Sequence, residues 1–126
     1  MKTLTVVELE FMRKLWELGE ASPEEMKKSF EDSGRILTGG TVRKMLGILL
    51  DKGFVERKKQ GRAFHYRPVA PAEKTKSGLV KDIINRAYDG SIAHMFASFL
   101  GNEGVSPDDL EKIAFLIEQH RKESNR

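Results

Sequence analysis

Apolar residues recur every three or four positions along most of this chain, and the places where that rhythm stops divide it into elements. Leu9, Phe11, Met12, Leu15, Trp16 and Leu18 make a wide apolar face, the spacing of a helix. Thr5-Val6-Val7-Glu8 before it is a capping box, with Thr5 at the N-cap and Glu8 at N3, and Gly19 ends it. Ser22-Pro23-Glu24-Glu25 opens a second, shorter helix with only Met26 and Phe30 to bury, and Ser33-Gly34 reads as a turn. A third helix, Thr38 to Lys52, carries Val42, Met45, Leu46, Leu49 and Leu50 on one face and stops at Gly53, free to take positive φ. From Phe54 to Tyr66 the rhythm changes to two short β-prone runs around Lys59-Gln60-Gly61-Arg62, where the glycine permits a tight hairpin.

Pro68-Val69-Ala70-Pro71 closes this part, because two prolines in four residues cannot continue a strand ladder. Three more amphipathic helices follow. Leu79, Ile83, Ile84, Ala87 and Tyr88 line the first, closed by Asp89-Gly90. Ser91 caps the second, with Ile92, Met95, Phe96, Phe99 and Leu100 on one stripe and a break at Gly101 to Gly104. Ser106-Pro107-Asp108-Asp109 opens the third, lined by Leu110, Ile113, Leu116 and Ile117 before a polar tail. The predicted fold is mainly α, an α+β winged helix: a winged helix-turn-helix over 1–70, then a three-helix region over 71–126. Trp16 is expected in the core. Phe64 and Tyr66 are expected to pack the second wing strand against the third helix, leaving His65 and Arg67 outward, where either could approach a phosphate; His94 is expected to partner a polar group.

Charge sharpens the picture. Residues 35–67 hold nine basic side chains against Asp51 and Glu56, a local excess of +7 in a chain whose net charge is +3. Residues 71–126 hold eight basic and nine acidic side chains with no basic cluster. A basic excess confined to a helix and the hairpin after it is the footprint of a nucleic-acid surface. With Thr41, Arg43 and Lys44 lies the side of the third helix opposite Val42, Met45 and Leu49, so these three are expected at base edges; Thr38, Lys58, Lys59, Arg62 and Arg67 are expected at phosphates.

Other chemistry is missing. There is no cysteine, which removes disulfide frameworks and thiolate metal sites and fits a reducing compartment. His65, His94 and His120 are scattered without metal-ligand spacing, so no metal and no cofactor is expected. Gly39-Gly40 lacks the remainder of a phosphate loop. No catalytic constellation can be assembled, which argues against an enzyme. The first 20 residues carry Glu8, Glu10 and Glu17 and no run is long enough to span a bilayer, so the expected location is cytoplasmic.

The three C-terminal helices carry more apolar surface than so small a unit hides by itself, since domains below roughly 60 residues are marginal without a staple or a partner. A homodimer sharing a core through Leu79, Ile83, Ile92, Met95, Phe96, Phe99, Leu100, Leu110, Ile113 and Ile117 is the expected answer; folding of these helices back on the same chain is the alternative.

Glu8-Leu9-Glu10-x-Met12 with Leu15-Trp16, Thr41-Val42, Met45-Leu46, Lys52-Gly53, the hairpin Lys59 to Pro68, Asn85-Arg86-Ala87-Tyr88-Asp89-Gly90 and Phe99-Leu100 together resemble the penicillinase/methicillinase repressor family of winged-helix regulators. The resemblance runs from Thr3 to about Lys122. It implies a homodimeric repressor on a palindromic operator in double-stranded DNA, silencing β-lactam resistance or related genes. It also implies induction by a membrane sensor metalloprotease, with a cut before the phenylalanine matching Phe99; the family's asparagine on the other side of that bond is Ser98 here. The family tends to place basic residues near Gly40 and Ile48, whereas this chain has Arg43 and Lys44. Two other readings compete: a ligand-sensing winged-helix repressor of the multidrug type, and a winged-helix protein-interaction module.

Overall fold

The computed structural model describes residues 3–102 and 104–125. Its elements run α1 (Val6–Leu18), α2 (Pro23–Asp32), α3 (Gly39–Asp51), β1 (Val55–Gln60), β2 (Ala63–Pro68), α4 (Ala72–Ala87), α5 (Ile92–Asn102) and α6 (Pro107–Ser124). They form two compact units, Met1–Asp82 and Ile83–Arg126, the division falling within α4.

Local chemistry sets the ends of the first three helices. Thr5 Oγ1 accepts the Glu8 N–H at 3.2 Å while Glu8 Oε1 accepts the Thr5 N–H at 3.1 Å. Ser22 and Glu25 repeat the exchange at 3.2 and 3.0 Å, and Thr38 Oγ1 accepts the Thr41 N–H at 3.1 Å. Each box satisfies backbone donors that the first turn leaves without helical partners. At the other end of α3, Gly53 takes φ +83°. The Phe54 N–H then reaches Leu49 O at 3.0 Å and the Gly53 N–H reaches Leu50 O at 3.1 Å. That bond pair is a Schellman motif, and it turns the chain directly into β1.

The core of the first unit joins Phe11, Met12 and Leu15 of α1, Met26 and Phe30 of α2, Val42, Leu46 and Leu49 of α3, and Val55 and Tyr66 of the hairpin. Met45, Leu50 and Trp16 pack against it partly buried, and the Lys76 ammonium stands 5.5 Å from the Trp16 ring centre. Leu18, expected on the apolar face of α1, is exposed instead. β1 and β2 pair antiparallel from Val55↔Pro68 to Gln60↔Ala63, leaving a two-residue turn at Gly61-Arg62 with positive φ at the glycine, as a II′ hairpin requires. Ala21, between α1 and α2, exchanges both backbone bonds with Tyr66 at 3.0 and 2.8 Å, an isolated antiparallel rung on the far side of β2 that pins the wing to the helices.

A charged pair sits in this unit too. Glu8, buried in α1, accepts from Lys52 Nζ at 2.6 Å, and the same ammonium donates to Thr3 O at 3.1 Å. Burial pushes the Glu8 carboxyl up, but the bonds from Lys52 and Thr5 outweigh it and hold the group below its ordinary value.

In the second unit Ile84 is the one buried side chain among the described residues. Asp89 (φ +52°) and Gly90 (φ +84°) turn α4 into α5, with the Gly90 N–H on Ile84 O at 3.0 Å. His94 meets the Tyr88 ring edge-on at 5.3 Å, an aromatic neighbour where a polar one was expected. α5 continues through Gly101, so the expected break does not begin there; Glu103 within it lies outside the described residues. Ser106 Oγ accepts the Asp109 N–H at 3.1 Å, and the helix this starts includes most of the expected polar tail.

Candidate nucleic-acid interface

α3 presents two chemically different sides. Val42, Leu46 and Leu49 are buried, while Gly40, Thr41, Arg43, Lys44 and Asp51 are exposed. Thr41, Arg43 and Lys44 are thus free of the core, and Arg43 and Lys44 hold no ion pair among the described residues. The Thr38 hydroxyl, besides capping α3, donates to Thr41 Oγ1 at 2.9 Å, which places these two hydroxyls together at the positive end of the helix. The Arg43 guanidinium lies back toward the helix start, where a Cβ on Gly39 would meet it at 3.2 Å.

The wing sorts its basic residues between two faces, because side chains alternate along a strand. Arg57, Lys59 and Phe64 share one face with buried Val55 and Tyr66; Lys58 shares the other with Glu56, His65 and Arg67. Lys58, Lys59 and Arg62 are exposed and unpaired among the described residues. Arg67 is not. Its Nε donates to Glu56 Oε1 at 2.6 Å across the strands, so its charge is locally compensated.

Two expectations for β2 need correction. Tyr66 is 5% exposed but Phe64 is 37% exposed, because Tyr66 stands beside the Ala21 rung and Phe64 lies nearer the turn, past the helices. Arg57 covers Phe64 instead, its guanidinium 4.2 Å from the ring centre, and its Nη1 reaches the Tyr66 hydroxyl at 3.4 Å. His65 does not point freely outward either; it is half-buried with Nδ1 3.7 Å from Glu25 Oε1 of α2. The exchange of bonds with Ser22 keeps the Glu25 carboxyl below its ordinary value against the opposing effect of burial, with a lesser contribution from His65. Arg57 is the residue that sequence reasoning passed over. The strand register that stacks it on Phe64 was implicit in the Gly61-Arg62 turn.

The described residues contain no group of three His, Asp or Glu side chains able to hold a metal, and no helix long and apolar enough to cross a membrane. What the first unit offers is an exposed, basic helix start beside an exposed, basic hairpin. The pattern of the family described as penicillinase repressor matches the chain over residues 4–119. The chain belongs to the penicillinase repressor family. This is a family of DNA-binding transcriptional repressors and not of enzymes. The chain is similar to the penicillinase repressor of Bacillus licheniformis, 26% identical over 114 residues that cover 90% of this chain and 88% of that one. It is 25% identical over 114 residues to the methicillin resistance regulatory protein MecI of Staphylococcus aureus (strain Mu50 / ATCC 700699), covering 90% and 92%. Among solved structures, the DNA binding domain of the repressor BlaI matches with a TM-score of 0.50 and 28% identity, over 57% of this chain and 90% of that domain.

Proposed function

We propose that this member of the penicillinase repressor family is a homodimer that binds a palindromic operator, controls β-lactam resistance or related genes, and is inactivated by proteolysis in the helices that join its protomers. The observation that carries the reading is the uncovered apolar face of α5. Ile92, Phe96, Phe99 and Leu100 are 40–57% exposed within the single chain, more contiguous apolar surface than a monomer leaves to water without a use for it. Ile83, Leu110 and Ile117 are exposed as well, Met95 and Ile113 are half-buried, and α6 buries no residue of its own. A two-fold pairing through these residues supplies two copies of α3 for the two halves of a palindrome. Ser98 is half-buried and Phe99 exposed, both inside α5, so a cut between them divides the helix that carries the uncovered face. A membrane sensor metalloprotease is the partner this implies.

In this reading Thr41, Arg43 and Lys44 meet base edges, and Thr38, Lys58, Lys59 and Arg62 meet phosphates, with Arg67 available only at the expense of its Glu56 pair. Arg43 is able to grip a guanine by two hydrogen bonds, worth roughly 1–3 kcal/mol of discrimination. Arg43→Ala is expected to relax preference at one operator position. Lys59→Ala is expected to weaken all duplexes alike and lower the slope of log K against log salt by about one unit. Titration of both variants against the operator and a scrambled duplex at several salt concentrations checks this; equal losses on both duplexes for both variants would remove the division of labour. The reading as a whole is tested by sedimentation of the protein with and without a palindromic duplex from its own promoter, at two salt concentrations. A dimer that binds and is released steeply by salt is the expected result, and a monomer indifferent to DNA is the result that overturns it.

One observation favours a second reading, release by a small ligand. Phe54, Val69, Thr75 and Leu79 help to line a mostly apolar recess of about 290 Å³ within the first unit, the lower end of the size of a small-molecule site. Displacement of the operator by a phenolic or a β-lactam added to the purified complex would select it.

A further inference from the structure

Gly47 stands in the middle of α3 (Gly39–Asp51), where glycine weakens a helix relative to alanine. The fold gives no reason for it. Its φ is not positive, and a Cβ built on it meets no atom within 4 Å, so neither a turn nor a close approach within the chain excludes a side chain. Position 47 follows Lys44 by three residues and Arg43 by four, which puts all three on neighbouring turns of one side of the helix. It lies about 140° around the helix axis from Val42, which is fully buried. The missing side chain is therefore on the outward surface, flanked by the two cations assigned to base edges.

Dimensions give that absence a consequence. A helix with its side chains is roughly 10–12 Å across and the major groove roughly 12 Å wide, so a side chain at the point nearest the groove floor decides how far the axis can descend. We propose that Gly47 is the point of closest approach between α3 and the bases, and that its bare backbone sets the depth, and so the register, at which Arg43 and Lys44 meet their base pairs. The proposal rests on the DNA-binding reading above and assigns a positioning role that the basic residues alone do not reveal. Alanine at 47 stiffens the helix and at the same time lifts it from the groove.

The test is Gly47→Ala, with Gly47→Leu as the bulkier companion, in the full chain. Melting temperature, affinity for the operator duplex and affinity for a scrambled duplex are measured for each. Gly47→Ala is expected to raise the melting temperature by a few degrees while lowering operator affinity at least tenfold, with scrambled-duplex affinity and its salt slope held within twofold. Gly47→Leu is expected to lose more operator affinity than Gly47→Ala. A more stable Gly47→Ala protein with unchanged operator affinity overturns the proposal, and so does a destabilised one, which would give the glycine to the fold. Equal loss on both duplexes overturns it too. A wild-type chain that failed to prefer the operator would instead remove the DNA reading, and this inference with it.

Discussion

Phe99→Glu is expected to convert the proposed dimer to a monomer and to lower operator affinity about a hundredfold or more. Phe99 is 56% exposed within the chain, and Phe96, one turn earlier on α5, is 40% exposed. A full Phe or Leu burial is worth about 1.5–3 kcal/mol, so the stripe of Ile92, Phe96, Phe99 and Leu100 is the largest reserve of association energy on α5. A carboxylate placed in it would lose its water without gaining a partner, a cost of several kcal/mol when two copies meet. Because position 99 is already exposed in one protomer, the first unit should fold unchanged. Operator binding falls because the two half-sites would no longer share one rigid ligand, and the gain from effective concentration disappears. Weak, salt-sensitive binding to scrambled DNA, which needs one basic surface at a time, should persist. Sedimentation together with titration on both duplexes reads all three effects. A Phe99→Glu protein that remained dimeric and kept its operator affinity would remove α5 from the interface.

Much of the first unit could be read from sequence because its determinants are local. The capping boxes of Thr5 and Ser22, the Thr38 cap and the Gly53 stop are each settled within a few residues, and the apolar stripe of α3 names its own buried face. What escaped depends on residues far apart. The Ala21–Tyr66 rung joins the α1–α2 link to the second wing strand, and no pattern in either segment announces the other. Strand alternation correctly put Phe64 and Tyr66 on one face but says nothing of how far the helices reach along it, so the two were given one fate and have two. Arg67 and Glu56 illustrate the same limit in the site. Composition counts both as charges, and only the register makes them a pair. In the second unit the stripes were legible, but a stripe states that a face needs cover without stating what covers it.

The Glu8–Lys52 pair also belongs to what sequence could not show, and its loss carries the second large effect. Lys52→Ala is expected to destabilise the first unit by about 3 kcal/mol at neutral pH, toward the lower end of what breaking a buried pair costs, since Lys52 keeps 28% side-chain exposure against 6% for Glu8. That is a sizeable part of the roughly 5–15 kcal/mol that holds a domain folded. The pH dependence follows from the direction of the Glu8 shift. In the wild type the carboxyl is held below its ordinary value. Its contribution is therefore fully present above that ordinary value and is lost as pH falls through the lower, folded one. Without Lys52 the strongest opposing bond is gone and only the bonds with Thr5 stand against burial, so the carboxyl moves up and its ionisation stabilises the variant less than the wild type. The stability gap between wild type and Lys52→Ala should be widest near neutrality and should close as pH falls through the carboxylate range. Urea unfolding of both proteins from pH 7 down to pH 3 reads that closure. A gap that stayed constant across the range would mean that Lys52 acts through its packing and its bond to Thr3 O, and not through the charge of Glu8.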